Sequence, residues 1–257
     1  MKSQFLNYLL IAILSVGAIS CKKDKEEEKE TPTPSPTPVE TVQKLKLEVK
    51  HKMGENDFDY NTILEDSNGT KFKLDHVSMY FSELAPGGVE VKGAHLLISP
   101  TVENYTVGNI EARNYPGIRI GLGVQESVNT QAGDDAKEIT EYPDGHALSF
   151  QNPSMYWSWN SGYIFFRVDG KYDSNGDGVP NETLALHVGH NANYQIMHFP
   201  GSFSVNTSTD KILNFEIDYV KFFDGLDILT ENTLHGNAGL AQKITANYSK
   251  AIKRNAN

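Results

Sequence analysis

Residues 152–170 read NPSMYWSWNSGYIFFRVDG and contain both tryptophans of the chain, at positions 157 and 159. Side chains alternate along an extended strand, so this pattern places Met155, Trp157 and Trp159 on one face. Gly162 interrupts the run, and residues 163–168 are apolar enough to form a buried strand. A packed core face is the ordinary interpretation of this pattern. The alternative is a metal site in which an indole takes part.

Short alternating segments flank this stretch on both sides, for example LKLEVKHKM at 45–53, TKFKLDHVSMYFSEL at 70–84 and KILNFEIDYVKFF at 211–223. Turns rich in Gly, Asn and Asp separate them, which is typical of all-β domains. The pattern therefore predicts a mainly β fold, an antiparallel β-sandwich. Apolar residues at helical spacing predict one short C-terminal helix, from about Asn237 to Lys250.

The first twenty residues, MKSQFLNYLLIAILSVGAIS, combine one lysine with an apolar run and a small-residue ending. Such a segment is typical of a secretory signal peptide and is too short for a membrane-spanning helix. The sequence Ala18-Ile19-Ser20-Cys21 resembles a bacterial lipobox, which implies acylation of Cys21 and a lipid anchor in the membrane. Cys21 is the single cysteine of the chain. The alternative is an ordinary signal peptide with an incidental cysteine.

Residues 21–41 carry a charged run and then a Pro/Thr/Ser run, which predicts a solvated tether. An acid-rich segment after a lipidated cysteine resembles the surface-export signal of Bacteroidetes lipoproteins. This implies an outer-membrane lipoprotein exposed at the cell surface, and a periplasm-facing protein is the alternative. Residues 42–257 then form a single domain. The formal net charge is −10 and no basic aromatic stripe is present, so nucleic acid is not an expected partner.

Four of the eight histidines fall between residues 146 and 198, around the tryptophan strand. Neutral imidazole is the commonest metal ligand in proteins. With no thiolate in the domain, imidazoles and a Met155 thioether suit copper better than most metals. A hairpin closed by residues 173–181 would place His187 opposite residues 164–167, far from Trp159, and His190 nearer to the tryptophans. The candidate copper ligands are His146, Trp157, Trp159, His187 and His190.

The acidic turn DSNGDGVPNE provides a second candidate metal site. Asp173, Asn175 and Asp177 alternate before Gly178, as oxygen ligands do in the first half of a calcium loop. Leu184 stands where the bidentate glutamate of such a loop is expected, so a metal-free hairpin turn is equally compatible with the sequence. We consider calcium a possible second ion.

A family resemblance rests on residues 146–170, HALSFQNPSMYWSWNSGYIFFRVDG, followed by LALHVGH at 184–190. These segments resemble the MbnP-like copper-binding proteins, the methanobactin-associated family. The pattern consists of Met-x-Trp-x-Trp, Gly-Tyr, an apolar strand, an acidic residue before Gly, and His-x-Gly. Here it falls on Met155, Trp157, Trp159, Gly162, Tyr163, Asp169, Gly170, His187 and Gly189. Asp169 replaces the usual glutamate.

The resemblance implies a β-sandwich that binds copper through histidines. It also implies that one tryptophan is oxidised to kynurenine by a dihaem peroxidase-like partner and joins the ligands, and we favour Trp157 over Trp159. No motif of a known enzyme class is present, so capture, storage or delivery of copper without turnover is expected. The alternatives are a surface β-sandwich that binds a glycan or protein through an aromatic platform, and a copper-dependent oxidoreductase.

Overall fold

The computed structural model describes residues 42–234 and 238–255. The predicted signal peptide, Cys21 and the tether lie outside the described residues. Helices in the described ranges are α1 (Glu126–Asn129), α2 (Ala238–Ala246) and α3 (Tyr248–Ala251), with 3-10 turns at Ile139–Glu141, Asn191–Asn193 and Tyr219–Phe223. The strands are β1 (Gln43–Met53), β2 (Asn56–Asp57), β3 (Ile63–Glu65), β4 (Lys71–Pro86), β5 (Leu96–Ile98), β6 (Asn104–Ile110), β7 (Asn114–Leu122), β8 (Tyr156–Ser158), β9 (Gly162–Tyr172), β10 (Glu182–Gly189), β11 (Gln195–Ser204), β12 (Lys211–Asp218), β13 (Thr233–Leu234) and β14 (Ile252–Arg254).

The smaller sheet has the order β14-β12-β1-β2, and β6 also pairs with β1. Strand β1 buries Leu45, Leu47 and Val49 and turns its lysines outward, as its alternating sequence predicts. It runs parallel to β12, with Leu47 opposite Leu213, and antiparallel to β6. This sheet therefore presents one apolar face to the core.

The larger sheet has the order β11-β7-β4-β9-β10-β13, with β3 and β5 on β4 and β8 on β9. Strand β9 lies at the centre between β4 and β10. The tryptophan stretch enters the sheet as β8, which pairs antiparallel with β9 through Tyr156 and Tyr163. The chain thus places Trp157 in β8 and Trp159 in the turn that leads to the start of β9.

The main core lies between the two sheets. Phe199 of β11 meets Phe215 of β12 with ring centroids 5.1 Å apart, and Phe166 of β9 meets Phe222 at 4.6 Å. The predicted β-sandwich is confirmed. The pairs β1–β12 and β10–β13 are parallel, however, and the predicted C-terminal helix is divided at Asn247 into α2 and α3.

A second, smaller hydrophobic cluster lies under the tryptophan stretch. Its buried members are Tyr80, Val124, Val128, Leu148, Met155, Tyr163, Ile164 and Phe165. Tyr142, Ala147 and Trp157 pack against it. The cluster thus joins the loop that contains His146 to strand β8. Among the described residues, no helix is long and apolar enough to cross a bilayer.

Candidate metal centre

Two histidines from distant parts of the chain meet beside the smaller cluster. His95 directly precedes β5, which pairs with β4, and His146 lies in the loop between residues 141 and 156. Their ring centroids are 6.3 Å apart. A metal–imidazole bond is about 2.0 Å long, so an ion shared by two rings holds their centroids at most about 6.3 Å apart, when its two bonds are nearly collinear. The spacing of His95 and His146 is therefore at the upper limit for one shared ion.

Each ring is held by neighbouring groups. The His95 ring lies between the Gly93 carbonyl, 3.3 Å from Nδ1, and the Gln125 amide oxygen, 3.0 Å from Nε2. The Leu148 backbone N–H donates to Nδ1 of His146 over 3.0 Å. Because this bond uses the Nδ1 lone pair, a neutral His146 carries its proton on Nε2. Binding a metal through Nε2 therefore requires that proton to move and Leu148 to find another acceptor.

The surroundings of both histidines favour the neutral form that metals require. Desolvation lowers the pKa of His95, against the opposing effect of its hydrogen bonds to Gln125 and Gly93. Desolvation also lowers the pKa of His146, helped by the charges of His95 and Lys137. Both rings are thus neutral near neutral pH, and each can bind a metal once a ring nitrogen gives up its hydrogen bond.

The aromatic ring of Tyr142 stacks on His146, with centroids 4.8 Å apart and planes 15° from parallel. Tyr142 in turn packs on the smaller hydrophobic cluster. The stack fixes one face of the His146 ring, so the loop presents this ring in a defined orientation.

The histidine pair lines a cleft of about 800 Å³. Its charged lining residues are Glu90, Lys92, Asp134, Asp135, Lys137 and Glu141, four acids against two lysines. An acidic cleft concentrates cations from solution. Within the described ranges, however, no group of three or more His, Cys, Asp or Glu side chains is placed to hold a metal ion. In this arrangement no third described side chain of these types therefore joins the pair.

The ring of Trp157 lies against His190 and Gly189. Its half-buried ring lies 5.0 Å from the ring of His190 and directly over Gly189, where an added Cβ would come within 2.5 Å of the indole. His190 is thus the histidine beside this tryptophan, as the hairpin geometry predicts. Trp157 also packs against the cluster that supports Tyr142 and Ala147.

Trp159 lies beyond the end of β8, in the turn before Gly162. Its carbonyl accepts a hydrogen bond from the Gln131 N–H over 3.2 Å, and its side chain is half-buried. The strand expected to place Met155, Trp157 and Trp159 on one face therefore contains only Trp157 of the three. Met155 is fully buried in the smaller cluster.

His187 belongs to a third group, on the outer face of the larger sheet. It lies opposite Arg167, as predicted, and its Nε2 is 2.7 Å from Oδ1 of Asp169. Arg167 Nε donates to the other oxygen of Asp169 over 2.5 Å. Burial raises the pKa of Asp169, but the bonds from His187 and Arg167 outweigh it and leave that pKa below its usual value. Asp169, which replaces the family glutamate, here anchors His187.

The acidic turn is organised by its own backbone. Asp173 is buried and accepts hydrogen bonds from the N–H groups of Asn175, Gly176 and Gly178 at 2.7–3.2 Å. Asn175 donates its side-chain amide to Asp177 over 3.1 Å. Burial raises the pKa of Asp173, but the backbone donors outweigh it and lower the pKa overall. This arrangement is that of an Asx-type turn.

The sequence gives no local signal for His95. It lies far from His146 along the chain, and no short ligand spacing connects the two. They meet only because β5 pairs with β4 while the loop after residue 141 folds over the same sheet. Only the three-dimensional arrangement reveals this partner.

Comparison with known proteins adds the family to this geometry. A family model described as MbnP matches residues 42–240. The chain belongs to the MbnP family. Among solved structures, MbnP from Methylosinus trichosporium is similar with 16% sequence identity and a TM-score of 0.45, over 73% of this chain and 80% of that one. No curated protein matches. The MbnP match spans both histidines of the pair, both tryptophans and the acidic turn.

Proposed function

We propose that this member of the MbnP family binds copper as its cargo, with the imidazoles of His95 and His146 as the two nitrogen ligands. The observation that carries the proposal is the 6.3 Å separation of two rings whose pKa values are both lowered by burial. Neutral imidazole donors suit copper as well as zinc, iron and nickel, and the resemblance to the MbnP-like copper-binding proteins selects copper among them. The acidic lining of the cleft supports cation entry.

The pair leaves at least one coordination position to another ligand. We propose that an oxidised tryptophan, a kynurenine, supplies it, with Trp157 favoured over Trp159 and a dihaem peroxidase-like enzyme as the oxidising partner. Trp157 packs on the same small cluster as Tyr142, the residue that stacks on His146. In the described arrangement its indole faces His190 and Gly189, so this ligand set requires the tryptophan strand or the His146 loop to shift.

The proposed role is capture, storage or delivery of copper, without turnover, by a lipoprotein anchored through Cys21 at the outer membrane. A copper-dependent oxidoreductase is the enzymatic alternative. A glycan or protein platform made of the two tryptophans is the non-metal alternative. The cover that His190 and Gly189 give to Trp157 disfavours such a platform.

The experiment is copper loading followed by competition with a chromophoric Cu(I) chelator. His95→Ala and His146→Ala should each weaken binding at least about a hundredfold, because even partners outside the coordination shell commonly contribute ten- to a hundredfold. His198→Ala is the matched control, an exposed histidine on β11. Equal retention by all variants would exclude the pair as the site, and circular dichroism reports whether each variant folds. Loss of glycan binding by Trp157→Ala with unchanged copper content would favour the platform.

Calcium remains a proposed second ion at Asp173, Asn175 and Asp177. Each carboxylate oxygen can accept more than one partner, so the backbone bonds to Asp173 leave acceptor capacity for an ion. A rise in the thermal midpoint with calcium, absent in Asp177→Asn, supports this site. An unchanged midpoint identifies the segment as a metal-free turn.

A further inference from the structure

One end of the domain gathers aromatic rings and basic side chains into a stack. Tyr115 and Phe203 lie nearly parallel, with centroids 5.1 Å apart. The Arg113 guanidinium lies 4.7 Å from the Tyr115 centroid, and Arg254 and Lys211 lie 5.0 and 5.8 Å from the Phe203 centroid. The stacked pair of rings therefore has one cation beside Tyr115 and two beside Phe203, and the five residues come from four strands or strand ends.

Two further lysines, at the start of β1, extend the basic surface beside the stacked rings. Lys46 pairs with Asp210 at 2.7 Å, and Lys44 donates to the Asn109 side chain. We call this surface the cationic end and define it by Lys44, Lys46, Arg113, Lys211 and Arg254, together with Glu111 and Asp210. It holds five basic groups against two acidic ones, in a chain whose formal net charge is −10. Glu90 and Lys92 lie in the groove that adjoins Arg113, and their opposite charges cancel.

The cationic end is also the end at which the chain enters the domain. Gln43 pairs with Ile110 just before the turn to Arg113, and Leu45 pairs with Lys211. The Gln43 side chain donates to the Thr207 carbonyl in the turn that leads to Lys211. Val42, the first described residue, and Val89 beside Arg113 are both exposed. The twenty residues between Cys21 and Val42 can span at most about 70 Å when fully extended.

We propose that the cationic end docks on an anionic lipid surface, with Arg113, Lys211 and Lys44 contacting headgroup phosphates. Charge complementarity selects this occupant, because the remainder of the domain is strongly acidic and is repelled by the same surface. The chain enters the domain at Val42, which lies at the cationic end. A membrane anchor at residue 21 would therefore hold this end near the membrane and raise its effective concentration there. Exposed Val42 and Val89 add apolar contact at the interface.

The test uses the chain from Lys22 onward, which keeps every described core residue, since these lie within 45–252. It omits Cys21, because acyl chains on that cysteine would insert into vesicles of any composition. Cosedimentation is measured with phosphatidylcholine vesicles that do or do not contain phosphatidylglycerol. The double variant Arg113→Gln/Lys211→Gln should lose about 30-fold in partition to the anionic vesicles, since each basic residue near such a surface contributes about one factor of five. Lys171→Gln/Lys221→Gln, two exposed lysines elsewhere, is the charge-matched control and should lose little.

Salt should release the wild-type chain from the anionic vesicles. Equal partition to both vesicle types, or equal loss in the two double variants, would overturn the proposal. Binding to heparin without binding to vesicles would also overturn it and identify a sulfated glycan as the occupant. Thermal melts of all variants exclude loss of fold as the cause.

Discussion

The ring nitrogens of His95 and His146 have neutral hydrogen-bond partners, whereas that of His187 has a charged one. His187 is bonded to the carboxylate of Asp169, which Arg167 also holds. His95 and His146 both line the acidic cleft, and their ring nitrogens contact amide, carbonyl and backbone N–H groups. Neutral partners leave the imidazoles free to exchange a hydrogen bond for a metal bond. In this arrangement the motif histidine His187 is thus held by the carboxylate of Asp169, across the strand pair β9–β10.

Copper binding should depend on pH through this pair. The pKa values of His95 and His146 lie below the ordinary 6.5, so both rings stay neutral above that pH and binding is constant there. Affinity should fall only when the pH drops below 6.5, as protons compete with the metal. Chelator competition across this range measures the effect. A loss of affinity that begins above pH 7 would contradict neutral, desolvated ligands.

The close approach of Trp157 to Gly189 makes a second residue-level prediction. Gly189→Ala places a methyl group in the volume of the indole and should destabilise the fold by about 1–3 kcal/mol, with a change in tryptophan fluorescence. In a Trp157→Phe background the same substitution should cost less, because the ring that it meets is smaller. Denaturant unfolding of the four chains measures the coupling. Additive effects would mean that the indole does not lie on Gly189.

The turn of the β9–β10 hairpin is organised by one side chain, that of Asp173. Asp173→Ala removes the acceptor of three backbone N–H groups in the connecting turn. We expect a lower thermal midpoint and faster amide exchange in β9 and β10, since unpaired backbone groups there lose their partner. Asp177→Ala, at an exposed position of the same turn, is the control. Equal effects of the two substitutions would contradict a special role for Asp173.

The strands show how far sequence determines these elements. The alternation of Leu45, Leu47 and Val49 identifies β1 and its buried face, because one face of a two-layer sheet must be apolar. It does not indicate that β12 runs parallel to β1, since a period of two is the same in both directions. The register of His187 opposite Arg167 follows from the hairpin alone. The meeting of His95 with His146 depends on how β5 and a long loop cover β4, and no periodic pattern carries that information.

For the whole molecule, buried and half-buried histidines contribute to the dependence of stability on pH. Desolvation lowers the pKa of His51, His76, His95 and His146 below 6.5 in the folded state. As the pH falls through 6.5, the unfolded chain therefore takes up protons first, and the free energy of unfolding decreases. The contribution of these histidines to stability is complete above the ordinary pKa of 6.5 and is lost as the pH falls through their lowered pKa values. Each histidine contributes at most about 1.4 kcal/mol per pH unit.

His51 provides the cleanest test of this dependence, because it is buried between the Tyr219 hydroxyl and the Val102 carbonyl, away from the histidine pair. His51→Gln should lower stability at neutral pH but flatten its decline below 6.5, as measured by urea unfolding at several pH values. His198→Gln, at an exposed position, should leave the slope unchanged. A slope that His51→Gln does not alter would assign the acid sensitivity to other groups.

The central claim is that copper lies between His95 and His146, and locating the ion by anomalous diffraction at the copper edge tests it most directly. Crystals of the copper-loaded protein should show one strong peak within bonding distance of nitrogens from both rings, in the cleft beside Tyr142. The same maps report whether Trp157 or Trp159 carries the kynurenine and reaches the ion. A principal peak at His187 and Asp169, at the Asp173 turn, or nowhere in the domain would contradict the account.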